Sequence, residues 1–388
     1  MKIYILFLIF SIKSFSQESA PFVLDHADEL IGKTIKGETV RELKGNVSFH
    51  QGSLKVKCDN AIHYITRNEL ELFGNVNMFQ DSINLKSEKA FYNTLTKSAK
   101  CEIKVELIKG LTTVYSEFAN YDVDKKIGRF FPTVKIISKK DDAIITGNEA
   151  EFNDKLKSLK IFSNAKLVQL IPLDNTIDTL AIKSSTMESI NEGDLLIAKG
   201  NVLLARNKFA SSSNEIYFDK INETIDYFNN PILWYEKNQI SGDTIKIKLK
   251  NNKLQKMDIA RRAFAITMSD SNYENRFNQM TGNLMKINFY NDTIKNIIVY
   301  RNGISLYYIY DENLPNGVNV VSGDEVISDF KNGIIDKINI KKGVEGIYTP
   351  EKILNRDISK GFLDGFKLNK NRPTINSIIN DKSFSNLK

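Results

Sequence analysis

Apolar and polar residues alternate along this chain in short runs that come back at a fixed distance. Leu54, Val56 and Cys58 are apolar while Lys55, Lys57 and Asp59 are charged, the period-two pattern of a strand with one dry and one wet face. Just before it, Glu42-Leu43-Lys44-Gly45-Asn46-Val47-Ser48-Phe49 returns 29 residues later as Glu71-Leu72-Phe73-Gly74-Asn75-Val76-Asn77-Met78. Each copy is followed by a polar turn and a second alternating run, Leu54 to Tyr64 and Ile83 to Tyr92. One unit is two strands and two turns, too small to bury its apolar face without neighbours stacked above and below.

The period persists in weaker form. The Val47 and Val76 positions continue at Ile103, Val134, Ala165, Val202 and Ile232. Second strands close on Ala90-Phe91-Tyr92, Ala119-Asn120-Tyr121 and Ala150-Glu151-Phe152, each followed by the turn formers Asn or Asp. The stretch from Ile171 to Asn191 reads as a loop or an extra hairpin. Further on, Ser241-Gly242-Asp243, Thr281-Gly282-Asn283 and Ser322-Gly323-Asp324 read as polar turns opening longer units of the same plan. After Pro350 the pattern fades into Lys, Asn and Ser, which predicts a short helix or a mobile end. No segment sustains helical periodicity between caps. The expected fold is all-β, a stack of antiparallel two-strand units.

The first residues do not belong to that stack. Lys2, the apolar run Ile3 to Phe10 and the small residues Ser14 and Ser16 make the three parts of a secretory signal, and the run is too short to span a bilayer. Cleavage is expected after Ser16. It removes Lys2 and Lys13 and takes the formal charge from +7 to +5, mildly basic, with the lysines scattered rather than clustered. Scattered charge argues against a nucleic-acid partner. Cys58 and Cys101 are the only cysteines, and the alternation around Cys58 favours a buried free thiol over a bridge.

Candidate chemistry is sparse. His26, His50 and His63 have no metal-ligand spacing, and all three read as solvated, with His63 on the wet face of its strand. Acidic pairs such as Asp141-Asp142 and Asp324-Glu325 fall where turns are expected. No nucleophile elbow, phosphate loop or zinc-protease motif occurs, so no catalytic residue, metal or cofactor is assigned. What repeats is apolar surface: Val47, Phe49, Leu54, Val56, Ile62, Tyr64, Leu72, Val76, Met78, Ile83, Leu85 and Phe91 are expected to line one continuous interior. Periodicity alone leaves open whether that interior is a packed core or a trough for acyl chains.

Leu43-Lys44-Gly45-Asn46-Val47, Leu72-Phe73-Gly74-Asn75-Val76 and Ala198-Lys199-Gly200-Asn201-Val202, together with Lys57-Cys58-Asp59-Asn60-Ala61-Ile62-His63-Tyr64, resemble the repeat of the OstA/LptA family. The resemblance covers Ala27 to Ile232 closely and Ile240 to Ile347 more loosely. It implies a β-jellyroll, or β-taco, whose interior holds the acyl chains of lipid A. It implies a periplasmic bridge for lipopolysaccharide, not an enzyme, that joins other OstA-like jellyrolls, or copies of itself, through strand edges. The organisation expected is a signal peptide at 1–16, an OstA-like jellyroll at 17–235, a continuation or second unit at 236–349 and a tail at 350–388. The competing reading is an exported β-solenoid that binds or cleaves polysaccharide, with Lys246, Lys248 and Lys250 on one face.

Overall fold

The computed structural model describes residues 20–379 except 36, 174, 175, 252, 271, 274, 313, 332 and 333. The expected signal peptide lies outside the described residues. Strand takes up 73% of the structure and helix 5%, in one antiparallel sheet of 26 strands, so the all-β jellyroll expectation holds.

The sheet is largely a meander of long strands that bend in the middle and pair with the strands before and after them, and where the chain breaks at the bend two short strands take the place of one long strand. Glu38–Gln51 shows how. Its residues 38–44 pair with Glu29–Ile35 and with the end of Leu54–Tyr64, and its residues 47–51 pair with Phe22–His26 and the start of Leu54–Tyr64. Between them the register skips Gly45 and Asn46, which take the left-handed conformation at φ 69° and 46°. Such a bulge bends the strand and lets one strand serve two sheets. The same skip recurs at Gly74-Asn75, Ile103-Lys104, Ser163-Asn164, Gly200-Asn201, Asn229-Asn230, Arg261-Arg262 and Arg301-Asn302. These kinks align into a seam, and the sheet folds along it into two leaves, which we call the Leu43 leaf and the Val47 leaf.

Side-chain bonds tie the seam in the first units. Asn46 Nδ2 donates to Asp28 Oδ2 at 3.0 Å, and Asn75 Nδ2 donates to Asp59 Oδ2 at 2.9 Å. The acid lies against the glycine, so a Cβ on Gly74 would strike the Asp59 carboxylate as well as strain φ. Turns also keep the period: Gly52, Asp81 and Gly110 reverse the chain at the Val47 rim, and Asn68, Lys97 and Lys126 at the Leu43 rim, all at positive φ.

Two expectations change. The third unit is phased on Val105, buried at 1%, because Ile103 is itself a kink residue and 44% exposed. Likewise Pro231, not Ile232, takes the buried place after Asn229-Asn230. The segment 171–191 is a regular hairpin of the stack, formed by the long strands Ser158–Leu173 and Thr176–Ile190.

The tail is ordered as a strap. After Pro350 come two short helical turns, Glu351–Leu354 and Ile358–Gly361, an extended run, and the helix Ile375–Ile379. It travels back over the outside of the Val47 leaf. Gln279 Nε2 donates to the Gly361 carbonyl at 2.9 Å, Gln239 Nε2 to Lys367 O at 2.8 Å and Trp234 Nε1 to Asn369 O at 3.3 Å. Ile378 then packs on Ala181 and Ala205.

Candidate functional site

The interior between the leaves repeats along the described stack. Cross-strand partners share a face, so each leaf presents files of side chains. One file on the Val47 leaf runs Phe49, Val56, Met78, Leu85, Leu107, Val114 and Ile136. Facing it on the Leu43 leaf run Leu43, Ala61, Leu72, Ala90, Cys101, Ala119 and Phe130. Together with their continuations they form one apolar cluster from Leu43 to Val326.

Nine of the twelve expected lining residues belong to it: Val47, Phe49, Leu54, Val56, Leu72, Val76, Met78, Ile83 and Leu85, each at most 2% exposed. The structure turns Ile62, Tyr64 and Phe91 outward. Ile62 pairs with Glu42 and Glu71, and Phe91 with Glu71 and Lys100, with the Lys89 ammonium 4.6 Å from its ring. Tyr64 donates its hydroxyl to Glu71 and carries Arg67 over its ring at 4.0 Å. The cause is the seam, since one skipped residue reverses which parity faces inward. The inward residues beyond it are Ala61 and His63, and Ala90 and Tyr92. His63 is therefore half-buried against Phe22 rather than solvated, and burial, with the Arg41 charge, holds its imidazole below the usual range. The alanine just past each acid, in Asp59-Asn60-Ala61 and Glu88-Lys89-Ala90, was the available signal for this reversal.

Cys58 and Cys101 are free and buried on opposite leaves, and burial pushes both thiols up to about 12. His26 and His50 are exposed partners of Asp28 and Asp25. Among the described residues no group of three or more His, Cys, Asp and Glu could hold a metal ion.

Away from the seam, where the two rims approach, polar side chains reach across the mouth. Tyr92 donates its hydroxyl to Gln51 Oε1 at 2.6 Å, and Gln51 Nε2 reaches the Thr94 carbonyl at 2.9 Å. One unit on, Tyr121 donates to Gln80 at 3.3 Å. Lys109 then pairs with Asp154, Lys126 with Asp81, and Lys220 with Asp141 at 3.1 Å. Burial is the main reason the Tyr92 and Tyr121 phenols titrate well above their normal range. These latches run from Gln51 to Lys220, and Tyr235 donates to the Asp292 carbonyl beyond them.

Toward the C-terminus the interior becomes polar in places. Ser211, Tyr227, Ser305 and Ser328 bury hydroxyls, and among the described residues those of Ser305 and Ser328 find no hydrogen-bond partner. A cavity of ≈ 20 Å³ lies between the leaves there, lined by Ile240, Met280, Ile287, Ile297 and Ser305 and edged by Asn238 and Asn278. The interior is a packed apolar core between two leaves, with polar side chains bonded across its mouth.

Residues 20–142 match the model of the OstA-like protein family, a stretch that covers the first kinked strands and the first latches. This segment is OstA-like, and the later strands repeat its kinked meander. No curated protein matches the chain.

Proposed function

We propose that the chain carries the acyl chains of lipopolysaccharide between its leaves and serves as a periplasmic bridge from the inner to the outer membrane. One observation supports this above the others: a largely apolar interior, from Leu43 to Val326, closed at its mouth by separable polar contacts in a stack whose residues 20–142 are OstA-like.

The energetics are compatible with opening. Each latch is worth about 1 kcal/mol net, because its groups return to water when it breaks. An acyl chain gains roughly 0.8 kcal/mol per buried methylene, so twelve carbons outweigh a handful of latches. The inner files stay dry throughout, since the acyl chain takes the place of the opposite leaf. Saccharide and phosphates remain outside the mouth.

Both ends of the stack suit assembly with other OstA-like domains. Among the described residues, Phe22–His26 and Glu29–Ile35 pair on one side only, as do Ile334–Lys341 and Glu345–Pro350. Such edges accept a strand from a neighbour, either a related jellyroll or another copy. The role is binding and transfer without turnover.

The test is photo-crosslinking in living Gram-negative cells with benzoylphenylalanine at inward Val76, and at outward Lys57 as control. A lipopolysaccharide adduct at Val76 alone is expected. Absence of an adduct at Val76, Met78 and Leu107, in protein that is folded and exported, would overturn the proposal.

A further inference from the structure

The outer face of the Leu43 leaf carries a second arrangement that the interior does not need. Aromatic residues punctuate this face, and most are already covered. Lys89 sits over Phe73 and Phe91, Lys160 lies 5.3 Å from the Phe162 ring, and Phe118 stacks on Phe131 at 6.2 Å. Phe228 differs: no cation lies over it and it is 37% exposed.

Phe228 opens into a concavity of ≈ 530 Å³ across the strands Leu195–Arg206, Phe209–Asp219, Thr224–Phe228 and Thr244–Lys250. The register puts Glu215 opposite Phe228, and Tyr217 opposite Asp226, which faces Lys246 in turn. The intervening Ile216, Tyr227 and Ile245 are buried inward, so these groups all face out. The Phe228 and Tyr217 rings meet edge to face at 5.5 Å and 89°. Tyr217 donates its hydroxyl to Glu215 at 3.1 Å, Lys246 pairs with Asp226 at 3.4 Å, and Asp219 accepts from the Asn222 amide groups.

Lys199 lies 5.3 Å from the Tyr217 ring and 3.7 Å from Glu215, which leaves Phe228 as the open ring. An aromatic platform ringed by three carboxylates and two ammonium groups has a definite chemical complement. A pyranose ring presents an apolar C–H face, which suits the electron-rich face of an aromatic ring, and a belt of hydroxyls that donate to carboxylates. Glu215, Asp219 and Asp226 outnumber the two ammonium groups, Lys246 and Lys199, so a net negative charge remains that disfavours phosphorylated or uronic sugars. We propose that this concavity binds pyranose units of a glycan chain, neutral or amino-substituted, with Phe228 and Tyr217 as the platform and the three acids as hydroxyl acceptors. The inference stands independently of lipid carriage, because the site is on the far side of the leaf from the interior.

Calorimetry on the full chain tests it with three probes: maltohexaose, the glucosamine hexamer and the galacturonate hexamer. Expected is binding of at least one of the first two, at least tenfold tighter than galacturonate. Phe228→Ala and Tyr217→Ala should each weaken it at least tenfold with the melting temperature nearly unchanged, while Phe228→Tyr retains it. Binding of neither sugar, equal or tighter binding of galacturonate, or wild-type affinity in Phe228→Ala would each overturn the proposal. Lipid crosslinking at Val76 would be untouched in these variants, which separates failure here from failure of the lipid reading.

Discussion

The strands up to Asn153 and those from Asn238 onward bend the same sheet by different means. In the first two units of the first region the glycine is in the left-handed strand, at Gly45 and Gly74, and the neighbouring Asp28 and Asp59 close over it, before Ile103-Lys104 takes the positive φ without glycine and Gly147 makes room for Ile161. In the second it has crossed to the intervening strand. Gly242, Gly282 and Gly323 make room for the Ile259, Val299 and Ile340 side chains, while Arg261-Arg262 and Arg301-Asn302 take the positive φ without any glycine. The interiors differ too, aliphatic and latched in the first region, interrupted by unpartnered hydroxyls in the second. So do the outer faces. The file His50, Lys55, Phe79, Asn84 on the Val47 leaf becomes Trp234, Gln239, Ile266, Gln279, Leu306 further along, and there the strap covers it. The kink is thus common property of the stack. What each region does with its two faces is not.

The largest expected effect comes from ending the chain after Pro350. It removes Leu354 and Ile378 from their packing, uncovers Trp234, and leaves Arg276 without the bidentate Glu351 partner. A loss of about 3–6 kcal/mol follows from two buried aliphatic side chains alone. Hydrogen exchange should speed up in residues 232–320 and stay slow in 40–120, and uniform acceleration would break the distinction between the regions. Next is the contrast within the interior. Phe49→Ala should cost about 3–5 kcal/mol by urea unfolding, whereas Ser328→Ala should be nearly neutral, since it removes a hydroxyl that has no partner. A large loss for Ser328→Ala would mean the second region hides a polar network.

At the seam the effects are smaller. Gly74→Ala should destabilise by about 1–3 kcal/mol through strain and collision with Asp59, while Arg301→Gly, which relieves a non-glycine positive φ, should lose nothing by the same measurement. The smallest effect at neutral pH is a titration confined to the first region. The folded state holds the Cys58 and Cys101 protons more tightly than the unfolded chain, about 12 against 9.0. The thiols' contribution to stability is accordingly flat below pH 9 and falls above it, because unfolded thiols ionise first. Replacing both by Ala should delay that fall until tyrosines begin to ionise near pH 10, as read from melting temperature against pH.

Much of this was legible in the residues. The 29-residue return of Gly-Asn-Val marked the seam, and nine lining positions followed from alternation. Ile62, Tyr64 and Phe91 escaped because the bulge between acid and alanine reverses parity, and a single unpaired residue leaves no trace in an alternation count. Ser-Gly-Asp at Gly242 and Gly323 looked like turn chemistry and is kink chemistry, since both need small residues beside acids.

By itself, then, the sequence determined the repeat, the β class and much of the core of the first units, all of which depend on neighbours within a few residues or one period. Tertiary structure alone decided the latches, the strap and the outer concavity. Tyr92 meets Gln51 only after the sheet has folded along its seam, and the strap is held through the Gly361, Lys367 and Asn369 carbonyls, groups that every residue carries and no sequence pattern can mark.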